Sequence, residues 1–105
     1  MLGVSVSRQT ETVQGGYGEV FFKRNGPVCL VKSALVIADS SAVGRWISVC
    51  TAPAWVTVEE DWLSALGSQG QLIGIWTIRN GEVQVYLRSL PSDGKVTIGG
   101  LVIMR

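Results

Sequence analysis

Two Asn-Gly pairs constrain this chain more than any other feature. Asn25-Gly26 and Asn80-Gly81 each lie between runs of β-branched and aromatic residues. Such a pair is the strongest short-range cue for a β-hairpin, because Asn and Gly tolerate the positive φ angles that a primed turn imposes. With strand-like alternation over most of the remaining chain, they predict an all-β protein.

Closing the first turn at Asn25-Gly26 pairs Phe22 with Cys29 and Val20 with Val31 on one face. The other face then carries Phe21 with Leu30 and the opposite charges Glu19 and Lys32. Pro27 cannot donate the usual turn hydrogen bond, and a four-residue loop Arg24–Pro27 would keep the same pairing. In the second hairpin Arg79 faces Glu82, Ile78 faces Val83, Thr77 faces Gln84, Trp76 faces Val85 and Ile75 faces Tyr86. Trp76, Ile78, Val83, Val85 and Leu87 should point into the core. The opposite face mixes Ile73, Ile75 and Tyr86 with Thr77, Gln84 and Arg79. It is too apolar for free solvent, so Ile73, Ile75 and Tyr86 are expected to contact another subunit.

Further strands are expected over Thr10–Gln14, Arg45–Thr51 and Val96–Met104, the last apolar on both faces and so expected to be buried from two sides. Residues 57–67 read two ways. Thr57 and Glu60 form a capping box with Gly67 as a stop, whereas Trp62, Ser64 and Leu66 alternate with Leu63 and Ala65 as in a strand. Loops are expected at Gly15-Gly16, Asp39–Gly44, Ser68–Gly70 and Pro91–Gly94.

Length and composition narrow the function. A chain of 105 residues is one domain, and only 16% of it is charged against 47% hydrophobic, where soluble domains carry roughly 25% charge. The shortage suggests that another chain covers part of the surface. Histidine is absent, which excludes imidazole triads, His-containing metal sites and histidine pH switches. A net charge of +1 offers no footprint for nucleic acid or an anionic membrane. Cys29 and Cys50 match no metal spacing and sit in apolar runs. They read as buried free thiols, with a disulfide between neighbouring strands as the alternative. The uncharged run Trp62–Ile78 is broken by Gly, Ser and Gln, so no membrane span is expected, and the start Met1-Leu2-Gly3-Val4-Ser5 lacks the regions of a signal peptide.

Catalysis is not expected. Glu59, Glu60 and Asp61 are consecutive and point different ways, without a distant carboxylate partner of the kind glycoside hydrolysis needs. A solvated turn is their plain reading; a sugar hydroxyl or Ca²⁺ is the functional one. Gly15-Gly16-Tyr17-Gly18 lacks the helix and Lys-Ser/Thr of a phosphate loop, and Gly99-Gly100 suggests a bulge or a close backbone approach. Of the four tryptophans, Trp46 and Trp76 fit a core, whereas Trp55 and Trp62 flank the acidic cluster. An indole beside carboxylates suits a saccharide, which stacks a CH face on the ring and hydrogen-bonds the acids. Trp55, Trp62, Glu59, Glu60, Asp61 and, at the edge of the Asp39–Gly44 loop, Arg45 are the candidate saccharide residues. No cofactor and no metal are expected.

The order of these segments carries a resemblance. Gly18-Glu19-Val20-Phe21-Phe22-Lys23-Arg24-Asn25-Gly26-Pro27-Val28-Cys29-Leu30, a strand ending at Thr51-Ala52-Pro53, the stretch Gln71–Tyr86 and a terminal apolar strand resemble the C-terminal head domains of phage and prophage tail fibres and baseplate receptor-binding proteins. The similarity spans residues 17–104 and rests largely on hairpin turns and alternation. Ala52-Pro53-Ala54-Trp55-Val56-Thr57 lacks the second proline usual there, which points to a remodelled loop. The resemblance places Asp61–Leu66 on a strand. It implies an antiparallel β-sandwich, jelly-roll-like or Greek-key, assembled as a homotrimer, with residues 1–16 as a neck or linker with room for a short strand and 17–105 as the head. It further implies a non-catalytic role at the virion tail tip, joined to an upstream shaft and adhering to a bacterial surface glycan or protein. A structural virion domain (capsid decoration or tail connector) and a carbohydrate-binding module of a secreted enzyme are the alternatives.

Overall fold

A computed structural model describes residues 8–105. Eight strands follow one another: β1 (Arg8–Gln14), β2 (Glu19–Asn25), β3 (Val28–Val36), β4 (Trp46–Thr51), β5 (Leu63–Gly67), β6 (Leu72–Arg79), β7 (Glu82–Leu87) and β8 (Lys95–Ile103). All strand pairs are antiparallel, and together they form one sheet in the order β1-β2-β3-β8-β5-β6-β7-β4. The expected all-β class is therefore observed, but as a single curled sheet rather than two stacked ones. Its outer strands β1 and β4 come together at Gly15, where a Cβ would overlap the carbonyl oxygen of Val49. Near-closure gives the sheet the form of a barrel and leaves little free edge.

The second hairpin has the register read from its turn, Arg79 opposite Glu82 through Ile75 opposite Tyr86. Asn80 (φ 53°) and Gly81 (φ 75°) supply the two positive φ values of a type I′ turn. Trp76, Ile78, Val83, Val85 and Leu87 are all buried, each side chain worth roughly 1.5–3 kcal/mol on removal from water. The indole Nε1–H of Trp76 lacks a hydrogen-bond partner among the described residues.

The first hairpin is slipped by two residues from the expected register. Asn25 pairs with Val28, Phe22 with Val31, Val20 with Ser33 and Phe21 with Lys32. The turn is Gly26-Pro27, with Gly26 at φ 63° in the first central position, as a type II′ turn requires, and Pro27 in the second, where its fixed φ fits and no ladder donor is lost. Because the slip is an even number of residues, Val20, Phe22, Cys29 and Val31 still point inward and are fully buried. The expected Glu19–Lys32 pair is not formed; the Lys32 ammonium instead lies over the Phe21 ring, 5.3 Å from its centroid.

Two other expectations are corrected. Ile73 is an extra residue in the β5–β6 ladder, where pairing steps from Ala65–Gly74 to Leu66–Leu72. Such a bulge re-aims a side chain, and Ile73 is buried in the core rather than outward as a subunit contact. On β8, Val96, Ile98 and Val102 are buried, but Leu101 and Ile103 are exposed, so this strand is covered on one face only. Residues 57–67 contain no helix: β5 starts at Leu63, and Val58 forms an isolated bridge with Met104. Val31 pairs with Gly100 and Lys32 with Gly99 without a register shift, so no bulge marks that pair; Gly100 sits at φ 146°, a conformation that favours glycine, and a Cβ there would overlap the end of the Leu63 side chain. Both cysteines are free and buried, and burial raises both thiols, that of Cys50 to about 11. Within the segment expected to form a neck, β1 is hydrogen-bonded to β2 along its whole length, whereas residues 1–7 lie outside the described part. Among the described residues no helix is long and apolar enough to cross a membrane.

Candidate functional site

Strand alternation that sends Trp76, Ile78, Val83 and Val85 inward sends Ile75, Thr77, Arg79, Glu82, Gln84 and Tyr86 outward. β4 adds to the same outer face, since Trp46 pairs with Tyr86 and Ser48 with Gln84. A bulge between Ser48 and Cys50 then lets Val49 and Cys50 both turn to the interior, where they are buried. Trp62, the residue before β5, is held over this face by two bonds: its backbone N–H donates to Asp61 Oδ1 (2.8 Å), and Thr77 Oγ1 donates to the Asp61 carbonyl (2.5 Å). The Asp61-Trp62 segment covers Thr77 completely, although Thr77 points away from the core.

The result is an aromatic cluster on the outside of the sheet. Trp46 meets Trp62 at 5.1 Å between ring centroids with planes at 63°, and Tyr86 at 5.5 Å with planes at 58°, both favourable tilted geometries. The Arg79 guanidinium lies 5.2 Å from the Trp46 ring, and its Nη2 donates to Gln84 Oε1 (2.9 Å). Ser48 Oγ donates to Glu82 Oε1 (3.1 Å). Trp62 is 48% exposed, so one large indole stands half in water at the edge of a face that also carries a guanidinium, carboxylates, an amide and a hydroxyl. Those groups can donate and accept hydrogen bonds around an apolar ring surface.

The expected saccharide residues are dispersed by this geometry. Trp62 and Asp61 belong to the cluster. Glu60 lines a cleft of about 660 Å³ that also contains Arg79, Asn80 and Arg105. Glu59 is exposed, and its backbone N–H donates to the Ile103 carbonyl (3.0 Å). Trp55 lies elsewhere: it is half-buried against the core, and its Nε1–H donates to Glu11 Oε1 on β1 (3.1 Å). Arg45 is exposed and its Nε donates to the Ser41 carbonyl (3.0 Å), tying the loop before β4. In that loop Asp39 accepts from the Ser41 hydroxyl and backbone N–H, which hold its carboxyl below the ordinary range. No group of three or more metal-ligating side chains occurs among the described residues.

No family model, curated protein or solved structure matches the chain. The site is therefore read from its own chemistry. Trp46, Arg79, Gln84 and Ser48 were not singled out as ligand residues from the sequence, and Tyr86 was expected at a subunit contact. The hairpin register already put Arg79, Gln84 and Tyr86 on one face; what the sequence did not show is that β4 extends that face with Trp46.

Proposed function

We propose that this chain is a non-catalytic saccharide-binding domain, serving as the receptor-binding head of a phage tail fibre or baseplate at the virion tip. The observation that carries the binding role is the Trp46–Trp62–Tyr86 cluster held outside the barrel with Arg79, Gln84 and Glu82 at its rim. Keeping Trp62 about half in water has no benefit for folding, whereas a sugar ring stacked on it recovers that contact area. Trp62→Ala tests the reading by adsorption of the assembled particle to host cells and by calorimetry with soluble glycans. Both should fall at least tenfold. Adsorption unchanged in Trp62→Ala and Trp46→Ala would favour the structural virion domain instead.

The homotrimer belongs to the same proposal, with its contact moved. Ile73 is in the core, and Ile75 and Tyr86 are half-buried at the aromatic cluster. Apart from Leu72, Trp62 and Val43, the exposed large apolar side chains lie on β3 and β8, where half-buried Leu30 pairs with Leu101 and half-buried Val28 with Ile103. Leu101 and Ile103 are 60% and 57% exposed, a patch that suits a second and third copy. Light scattering should give a trimer that Leu101→Glu dissociates. A wild-type monomer at micromolar concentration removes the trimer and leaves the binding site standing.

A further inference from the structure

Two clefts flank the aromatic cluster, one sharing Arg79 with it and the other sharing Tyr86. At one end Arg79, stacked on Trp46, also lines the cleft of about 660 Å³ with Asn80, Glu60 and Arg105. At the other end Tyr86, tilted against Trp46, lines a second cleft of about 640 Å³ with Ile75, Leu72 and Arg88. Five residue steps along β6 separate Arg79 from Gly74 in the second cleft, or ~17 Å at ~3.4 Å per step. That is several times the width of one sugar ring, and neither cleft is an enclosed pocket that would stop a chain.

Charge along these clefts is balanced. Three guanidinium groups, of Arg79, Arg88 and Arg105, line the clefts, and three carboxylates equal them in number: Glu60 in the first cleft, with Glu82 opposite Arg79 and Asp61 beside Trp62. A polyanion would need an excess of positive charge to concentrate it, and a polycation the reverse. Mixed donors and acceptors of this kind suit hydroxyl groups, which do both.

We infer that the two clefts and the cluster between them act as one groove that binds an internal stretch of a neutral, linear polysaccharide, with Trp62 and Trp46 at its centre and Arg88 and Asn80 toward its two ends. This rests on the saccharide-binding proposal above and adds the class of ligand. A central indole accounts for stacking of one unit. The two flanking clefts account for the neighbours on either side, so binding strength should accumulate with chain length.

The test is titration calorimetry of the full chain with malto-, cello- and chito-oligosaccharides from monosaccharide to hexasaccharide, and with oligogalacturonides as the acidic arm. In the neutral series that binds, the monosaccharide should give no measurable heat, and affinity should rise at least tenfold from disaccharide to hexasaccharide. It should not change between low and high salt. Arg88→Ala should weaken the hexasaccharide several-fold and leave the disaccharide unaffected, whereas Trp55→Ala should leave both affinities as they are. Equal affinity for monosaccharide and hexasaccharide, abolished by Trp62→Ala, would overturn the chain-binding inference while the saccharide site stands. Tighter, salt-sensitive binding of oligogalacturonide would overturn the neutral ligand in favour of an acidic one. Binding of none of these sugars would overturn both readings.

Discussion

Trp55 donates its indole N–H to Glu11 Oε1 at 3.1 Å, joining the loop after β4 to the first strand of the sheet. This bond crosses the seam where the two ends of the sheet face each other, so an aromatic residue that the sequence suggested for sugar binding ties the barrel closed. Trp55→Ala should lower stability by about 2–4 kcal/mol, since a half-buried indole and its packing are lost. Trp55→Phe should cost only about 0.5–1.5 kcal/mol, the typical worth of one hydrogen bond. Urea midpoints measure both, and saccharide affinity should be the same in both variants.

Gly15 tests the seam from its other side. A side chain there would meet the Val49 carbonyl, whereas a Cβ at Gly16 would meet nothing within 4 Å. Gly15→Ala should destabilise by about 1–3 kcal/mol through overpacking, seen as a Tm lower by roughly 5–20 °C in a chain of this size. Gly16→Ala should stay within about 0.5 kcal/mol of the parent.

Arg79 and Trp46 should prove energetically coupled. The guanidinium lies 5.2 Å from the indole centroid and is braced by Gln84. A double-mutant cycle with Arg79→Ala and Trp46→Ala, read by urea unfolding, should return about 0.5–1 kcal/mol of coupling. Additive single effects would show that the stack contributes nothing.

The thiols should be inert in the folded protein. Burial pushes Cys50 to about 11 and Cys29 upward as well, so little thiolate exists at pH 8. Iodoacetamide should label neither cysteine natively and both in urea, as mass spectrometry would show. Reducing agent should leave the urea midpoint unchanged, because no disulfide is present.

Asp93 links two loops. Its carboxylate accepts from the Lys95 backbone N–H (3.0 Å) and the Ser68 hydroxyl (2.9 Å), and these bonds lower its pKa below the ordinary 3.8. A folded pKa below the unfolded one means that the contribution is present above pH 3.8 and fades as pH falls through the folded value. Asp93→Asn should therefore flatten the acid limb of a Tm-versus-pH profile below about pH 4. At neutral pH the two proteins should differ most.

Local chemistry explains what was legible in advance. Asn80-Gly81 admits one turn type, so every pair of the β6–β7 ladder followed from it. Gly26-Pro27 displaced the first turn because a proline cannot serve as a ladder donor, and only the parity of the faces survived. Alternation also cannot foresee one added residue, which is how Ile73 came to lie inside. The hydropathy of Leu101 and Ile103 is that of a strand with two covered faces, yet among the described residues no layer packs on them. The aromatic cluster was hidden for a different reason. Trp46 and Tyr86 become neighbours through a ladder between residues forty positions apart, and short-range patterns carry no information about such a pairing.

The second hairpin carries two interleaved messages, one written on every other residue. Trp76, Ile78, Val83 and Val85 specify the barrel, and the alternate positions Ile75, Arg79, Gln84 and Tyr86 form the surface that a ligand would meet. Mutation can rewrite the second set while the first stays untouched. Outward side chains can thus be exchanged one at a time on a scaffold that keeps folding, and a designer could give the face a new ligand by library selection at these positions.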